Sequence, residues 1–415
     1  VSIKPAAGQT GVVLARITYG LLCMLTLPAA WMLGNVRSPR HALIAMLVAA
    51  TWCMSVLMSS QLLSESLATP ILVMAAAILL RSDSSRRANI FVGVLLGLGM
   101  LLRLQYGAFI LVLVAMALGR DWQRWGQVII GGLIAIVFEI GVDLAMGTVP
   151  FAWAWNYIYK VLVIGHVVQP QEQPAYEYLL MIPATLGPMA VFILFGACAS
   201  GRRFWPVLVA ALVNVAAHSV IPLKVFRFVW LSQFLFVLLA AIASVELLDM
   251  LARRQANGDP AAKASNRSMV LLACIWLAAS ALDYKAVGGA AQFRFGGEVA
   301  GEVDTTSRDP KTCGILLPFQ IMNQTVPALV SGPAPLYIAV PDVADGRLPL
   351  SAGEIAAANT MATTTGLPKG AEGYSQVSCT TRYQDKACTY RRAGPCDPAA
   401  NRDATYQRFL EVHGL

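Results

Sequence analysis

The sequence is short of charge: 13% of its 415 residues are Asp, Glu, Lys or Arg, while 57% are hydrophobic. A soluble domain carries roughly a quarter charged residues, so a water-soluble globule gives way to membrane residence. No run of basic residues forms a stripe that could track phosphates. The net charge of +8 comes from Lys and Arg set singly and in pairs between apolar runs, the pattern of membrane loops, which argues against nucleic acid as a partner. Residues 286–415 lack C-x-x-C pairs and hold a single histidine, His413. That speaks against zinc there. Heptads, short repeats, low-complexity tracts and a recognisable signal peptide are missing as well; the first apolar run, from Gly11, continues at membrane length.

What the chain does have is apolar runs. A bilayer core of about 30 Å takes roughly 20 apolar residues in helical form. Candidate spans lie near 11–34, 41–58, 65–80, 88–102, 105–119, 126–143, 180–198, 205–221, 227–249 and 268–285. Several are short, and the pair around Arg103 is expected to be tilted or partly inserted helices meeting at a polar point. Arg37, Arg40, Arg86, Arg120, Arg202 and Arg253 fall in one set of loops, whereas the opposite set carries few cations. The first set is therefore expected to be cytoplasmic. Val1 and everything after residue 285 then face outward.

The chain divides accordingly into a transmembrane domain, 1–285, and an extracytoplasmic domain, 286–415. The latter is richer in Gly, Pro, Ser and Thr. Cys313–Phe319, Pro335–Val340 and Ser375–Tyr383 read as strands and Ala404–His413 as a short amphipathic helix, together a small α/β appendage. Cys23, Cys53, Cys198 and Cys274 lie in apolar runs and read as ordinary buried residues. Cys313, Cys379, Cys388 and Cys396 lie in the appendage, an even number that suggests two disulfides, one of them local among the last three.

Charges inside or at the mouths of spans are costly and usually serve a purpose. On the outward side these are Glu65, Arg103, Asp143, His218, Lys224 and Arg227. The densest stretch runs from His218 to Phe228 across a proline-broken turn. Its two cations and imidazole would suit a phosphate or diphosphate, although snorkelling to lipid headgroups explains the cations equally well. Arg103 interrupts an apolar stretch from Ile90 to Leu118 and calls for an acidic partner, Glu65 or Asp143, or an anionic substrate. Glu65 could alternatively serve only the start of its helix. The loop at 144–179 holds Trp153, Trp155, Asn156, Tyr157, His166, Tyr176 and Tyr178 among three prolines. That composition suits either an interfacial aromatic belt or sugar binding, with Asn156 and Tyr178 as candidate sugar or acceptor contacts.

Taken together, these segments resemble a family. His218-Ser219 followed by Lys224-x-x-Arg227-Phe228 is similar to the H-S-x-x-x-H-K-E-x-R-F signature of polyprenyl-phosphate-mannose-dependent mannosyltransferases. These are GT-C-type enzymes of glycosyltransferase family 22, which build asparagine-linked glycans and GPI anchors. Asp143, Gly147, Pro150, Asn156 and Tyr178 follow the family's D-x-x-x-Y-G … P … Y-N … W-Y order, and Ser59–Ala68 resembles its T-R-T-x-S-N/E-x-x-E segment. The resemblance covers residues 12–250. Leu223 and Val225 stand where the family has His and Glu, and the family's first span and acid-bearing outer loop would precede Val1.

The resemblance implies an all-α polytopic GT-C-like fold and a hexosyltransferase moving mannose from a polyprenyl-phosphate donor to a glycan or lipid-linked acceptor. His218, Lys224, Arg227 and Arg103 would bind the donor phosphate, and Asp143 or Glu65 would assist as acids. No metal or other cofactor is required, because the cations take that place. Membrane lipids are the remaining partners, and a bacterial inner membrane with a periplasmic site the expected location. A transporter or flippase would instead call for inverted repeats and charges at the midplane; no such repeat is found. A non-catalytic relative that binds glycan or polyprenyl phosphate is the third reading.

Overall fold

The computed structural model describes residues 8–59, 63–81, 85–159, 174–221, 224–256, 263–286, 297–318, 330, 332–339, 350–363, 366–382 and 385–400. Gln61, His166, Leu223 and the expected helix at 404–413 lie outside them. The described chain divides into two units, Ile17–Gly289 and a second made of residues 1–16 with 290–415.

The first unit is a helical bundle. Its helices are the part of α1 (Gly8–Cys23) from Ile17 on, α2 (Thr26–Asn35), α3 (Pro39–Thr51), α4 (Cys53–Ser59), α5 (Ser64–Leu79), α6 (Arg86–Leu102), α7 (Gly107–Leu118), α8 (Trp122–Ala145), α9 (Ala152–Ile158), α10 (Glu177–Leu186), α11 (Ala190–Cys198), α12 (Trp205–Val220), α13 (Trp230–Gln255) and α14 (Asn266–Ala286). Each of the ten expected apolar segments is helical, but they are not ten equal spans. Among the described residues six helical stretches are long and apolar enough to cross a membrane, and a seventh crossing requires α3 and α4 together, bent by 62° at Trp52. Helices α5, α6 and α7 have 16, 17 and 12 residues, less than the roughly 20 that a straight crossing takes. The protein is a multi-pass integral membrane protein. Its α8 shows why: Ile130, Leu133, Ile134, Val137 and Phe138 are all exposed on it, a face that only lipid satisfies.

Helix α13 is the most deeply buried of the long helices, with α3, α5, α11 and α12 packed around it. Helices α6 and α8 meet backbone to backbone. A Cβ at Gly93 would lie 2.0 Å from the Val128 carbonyl oxygen, and one at Gly131 would lie 2.0 Å from that of Ile90. Small residues permit this approach, as is common between membrane helices. At the end of α13 farthest from Arg227, Glu246 pairs with Arg37 and with His41 (3.2 Å), and Asp249 pairs with Arg40 (3.0 Å). These contacts tie α13 to the turn after α2 and to the first turn of α3.

The second unit is a five-stranded mixed sheet, ordered β2-β1-β3-β5-β4, of β1 (Ile315–Pro318), β2 (Leu336–Ala339), β3 (Thr360–Thr363), β4 (Ser375–Arg382) and β5 (Asp385–Arg391). β1 runs parallel to β2 and β3, while β5 is antiparallel to β3 and β4. Helix α15 (Gly297–Ser307) packs on β3, β4 and β5, and Glu302 on it accepts from Thr380 Oγ1 at 2.6 Å and from Ser378. Helix α16 (Ala352–Ala357) starts in a capping box, Ser351 with Glu354. Leu316, Tyr337, Met361 and Tyr374 form the core beneath. Cys313–Cys396 and Cys379–Cys388 are disulfides. The second of these links directly opposed residues of β4 and β5.

Candidate functional site

Helix α6 stops at Leu102 because Arg103 turns to extended backbone (φ −153°, ψ 92°) before a short 3-10 turn, Leu104–Tyr106, leads into α7. This break carries Arg103 inward. Its Nη2 lies 2.9 Å from Glu65 Oε1 at the start of α5. The same carboxylate oxygen lies 3.7 Å from Nε of Arg227, in the turn that opens α13. Glu65 is 2% exposed, and its two partners 16% and 27%. One acid thus anchors two guanidiniums from separate helices.

Phe228 completes the grip. Its ring centre is 4.7 Å from the Arg103 guanidinium carbon and 5.7 Å from that of Arg227, distances at which the ring quadrupole attracts both cations. His218 packs on the same ring (6.2 Å between centres) and on Tyr106 (6.3 Å). Its Nδ1 is 2.8 Å from the carbonyl oxygen of Asn214, one turn earlier in α12. A carbonyl only accepts, so Nδ1 carries a proton, and Nε2 of the neutral ring is an acceptor. To hold an anion, His218 has to be doubly protonated. Asn214 is fixed in turn by its amide donating to Ser232 at 2.9 Å.

Lys224 is buried, its Nζ donating to the carbonyl of Ile221. The backbone of the next residue, Val225, both donates to and accepts from Tyr178 Oη at 3.3 Å. Tyr178 is itself fully buried. Its place is a brace under the Lys224–Arg227 turn. Asn156 is exposed on α9. Asp143 takes the amide of Phe151 at 2.8 Å and the Thr148 hydroxyl at 3.3 Å, shaping the turn in which Phe151 has a left-handed φ of 58°. Among the described residues its side-chain contacts stay within that turn, and Glu65 is the acid that meets Arg103.

Three charged residues of the expected set therefore converge, Glu65, Arg103 and Arg227, with His218 beside them, while Lys224 lies in the turn before Arg227 and bonds to that turn's backbone. Sequence reasoning missed Tyr106, which is fully buried against His218, and Asn214. Asn214 was legible as the residue four before His218 on a helix, where side chains and backbone meet. In charge, two guanidiniums share one carboxylate, leaving one positive charge at the cluster. Among the described residues, Nε of Arg103 is buried without a hydrogen-bond partner, and Nε of Arg227 has only the long approach to Glu65. Such donors suit the oxygens of a phosphate.

No protein-family model and no curated sequence matches the chain. Two crystal structures of ArnT from Cupriavidus metallidurans do match the fold. The apo form gives a TM-score of 0.58 at 14% identity, over 92% of this chain and 84% of that one. The form bound to undecaprenyl phosphate gives 0.57 at 13% identity over the same shares. The fold is that of ArnT. The expected helical membrane bundle with a small sheet towards the C-terminus is what the chain has.

Proposed function

We propose that this chain is a membrane glycosyltransferase that moves a sugar, mannose by the motif resemblance, from a polyprenyl-phosphate donor to a hydroxyl of a glycan or lipid-linked acceptor. The observation that carries the reading is the Glu65–Arg103–Arg227 cluster with its surplus of guanidinium donors. It sits in a fold shared with ArnT, one of whose crystal structures contains undecaprenyl phosphate. The acceptor oxygen attacks the anomeric carbon, the bond from that carbon to the phosphate oxygen breaks, and the proton leaves to a base. Negative charge grows on the departing polyprenyl phosphate. Fixed cations aimed at that charge lower the barrier, since they need no rearrangement as it develops. Arg103 and Arg227 take this role, with Lys224 adding a third charge. Glu65 orients the two guanidiniums, and Phe228 keeps them in register. The loop count of Lys and Arg supports a site on the extracytoplasmic side, periplasmic in a bacterial inner membrane, as does the disulfide-bonded second unit.

The test is transfer by purified protein in detergent. Radiolabelled polyprenyl-phosphate mannose and polyprenyl phosphates bearing other sugars are offered with glycan and lipid acceptors. Transfer from one of these donors, abolished by Arg103→Ala, is the expected result. Failure of every donor to label any acceptor, or transfer untouched by Arg103→Ala, overturns the reading.

A further inference from the structure

Helix α14 carries a buried acid that the proposed reaction does not use. Asp283 is fully buried, and among the described residues neither carboxylate oxygen has a hydrogen-bond partner. An ionisable side chain inside a membrane bundle is costly and normally serves a function. Its surroundings are specific. Trp276, Ser280 and Asp283 follow one another at helical spacing along one buried face of α14. Trp276 packs edge-on against Trp52, with ring centres 6.2 Å apart. One turn farther on, the Ser280 hydroxyl donates to the carbonyl of Thr51. Asp283, one turn beyond Ser280, then falls where α14 packs against α4.

That neighbourhood is a broken helix. α3 closes with Trp52 N donating to Val48 O (2.9 Å), and the ladder resumes only with Val56 N to Trp52 O (3.2 Å). No proline or glycine causes the break; Trp52 turns to extended backbone (φ −61°, ψ 126°). Among the described residues, the carbonyls of Ala49 and Ala50 are left outside the ladder, and the buried hydroxyl of Ser55 has no partner. A carboxylate and a hydroxyl, both buried in an apolar bundle, beside backbone carbonyls released from a helix ladder, are a hard-oxygen ligand set for a small cation. Irregular backbone at membrane depth persists where the surrounding protein gives its polar groups something to bind.

We propose that Asp283, Ser55 and the carbonyls freed at Trp52 bind a monovalent cation of the size of sodium. The ion neutralises the carboxylate and fixes the angle between α3 and α4. Because α4 runs on towards Ser64 and Glu65, with the Ser66 hydroxyl bonded to Met58 O at 2.7 Å, this site lies one short helix away from the cation cluster. It does not rest on the proposed reaction.

Trp52 and Trp276 make the site observable. The full chain in detergent is titrated with NaCl against choline chloride at constant ionic strength, and tryptophan emission and the melting temperature are followed. A saturable change in emission and a rise of roughly 2–5 °C in Tm are expected with sodium, the effect differing for LiCl and KCl. Asp283→Asn should abolish both responses, and Ser55→Ala should weaken the apparent affinity about tenfold. Indifference to all three cations, or a sodium response that survives Asp283→Asn, overturns the proposal. So does a Tm that follows pH alone, which would make the bound species a proton. Should Asp283→Asn fail to fold, Ser55→Ala and the wild-type choice among the three cations still decide.

Discussion

Arg103 and Arg227 share one oxygen of Glu65 and one ring of Phe228, although they enter from different helices. Because two like charges repel at this range, the acid and the ring together are what make their proximity tolerable.

Removing Arg103 should therefore cost stability as well as activity. Arg103→Ala leaves Glu65 buried with only the Ser64 hydroxyl at 3.2 Å and the distant Arg227, and breaking a buried pair from one side costs about 3–5 kcal/mol. A lowered melting temperature in detergent is the expected outcome. Arg103→Lys should restore charge but not the planar fork, and so recover stability only in part.

Lys224→Ala and Arg227→Ala separate substrate binding from lipid contact. If each supplies a charge-assisted bond of about 1.5–3 kcal/mol to the donor phosphate, affinity for a polyprenyl phosphate should fall roughly tenfold to a hundredfold. Cations that merely snorkel to headgroups would leave that affinity nearly unchanged. Equilibrium binding in nanodiscs of one fixed lipid composition distinguishes the two.

Helix α6 should tolerate no side chain where it touches α8. Gly93→Leu would push atoms against the Val128 carbonyl, and overpacking of this kind costs about 1–3 kcal/mol or more. Gly126, also on α8, has open space around its Cβ position. Gly126→Ala should instead stabilise by up to about 1 kcal/mol through helix propensity. Opposite shifts in Tm from the two variants are the expected signature.

In the second unit, Asp309 accepts from the backbone of Lys311 and pairs with Arg391 at 2.6 Å. Both hold its carboxyl below the usual aspartate range. A depressed folded-state pKa contributes stability that is present above the unfolded value and lost as pH falls through the folded one. The acid limb of a stability-against-pH curve should therefore be shallower in Asp309→Asn than in the parent chain. Identical limbs would show that the pair contributes nothing to acid stability.

Much of the bundle was legible because membrane helices announce themselves by length and apolarity, and the strands at 315–318 and 375–382 by their residue types. The outline of the cation cluster was legible too, since charges stand out in apolar runs. The partner of Arg103 was open between Glu65 and Asp143, because the choice depends on how α6 and α5 cross, a long-range fact. Tyr178 read as a sugar contact, yet it braces Val225; a buried tyrosine and an interfacial one look alike in a sequence. The break at Trp52 had no proline or glycine to signal it. Asp283 was overlooked because one acid near the end of an apolar run reads as the end of the span.

The shortness of α7 reaches beyond the protein. Twelve residues rise about 18 Å, against a hydrocarbon core of about 30 Å. Were Arg120 and Arg124 to hold one end near the water, the other end, one 3-10 turn from Arg103, would stop within the oily layer. A headgroup that meets Arg103 must leave the plane of its neighbours, and the leaflet must dimple to follow it. Bilayer thickness thus becomes a variable of the chemistry. Thin membranes would bring lipid phosphates down to the arginines, and thick ones would hold them away.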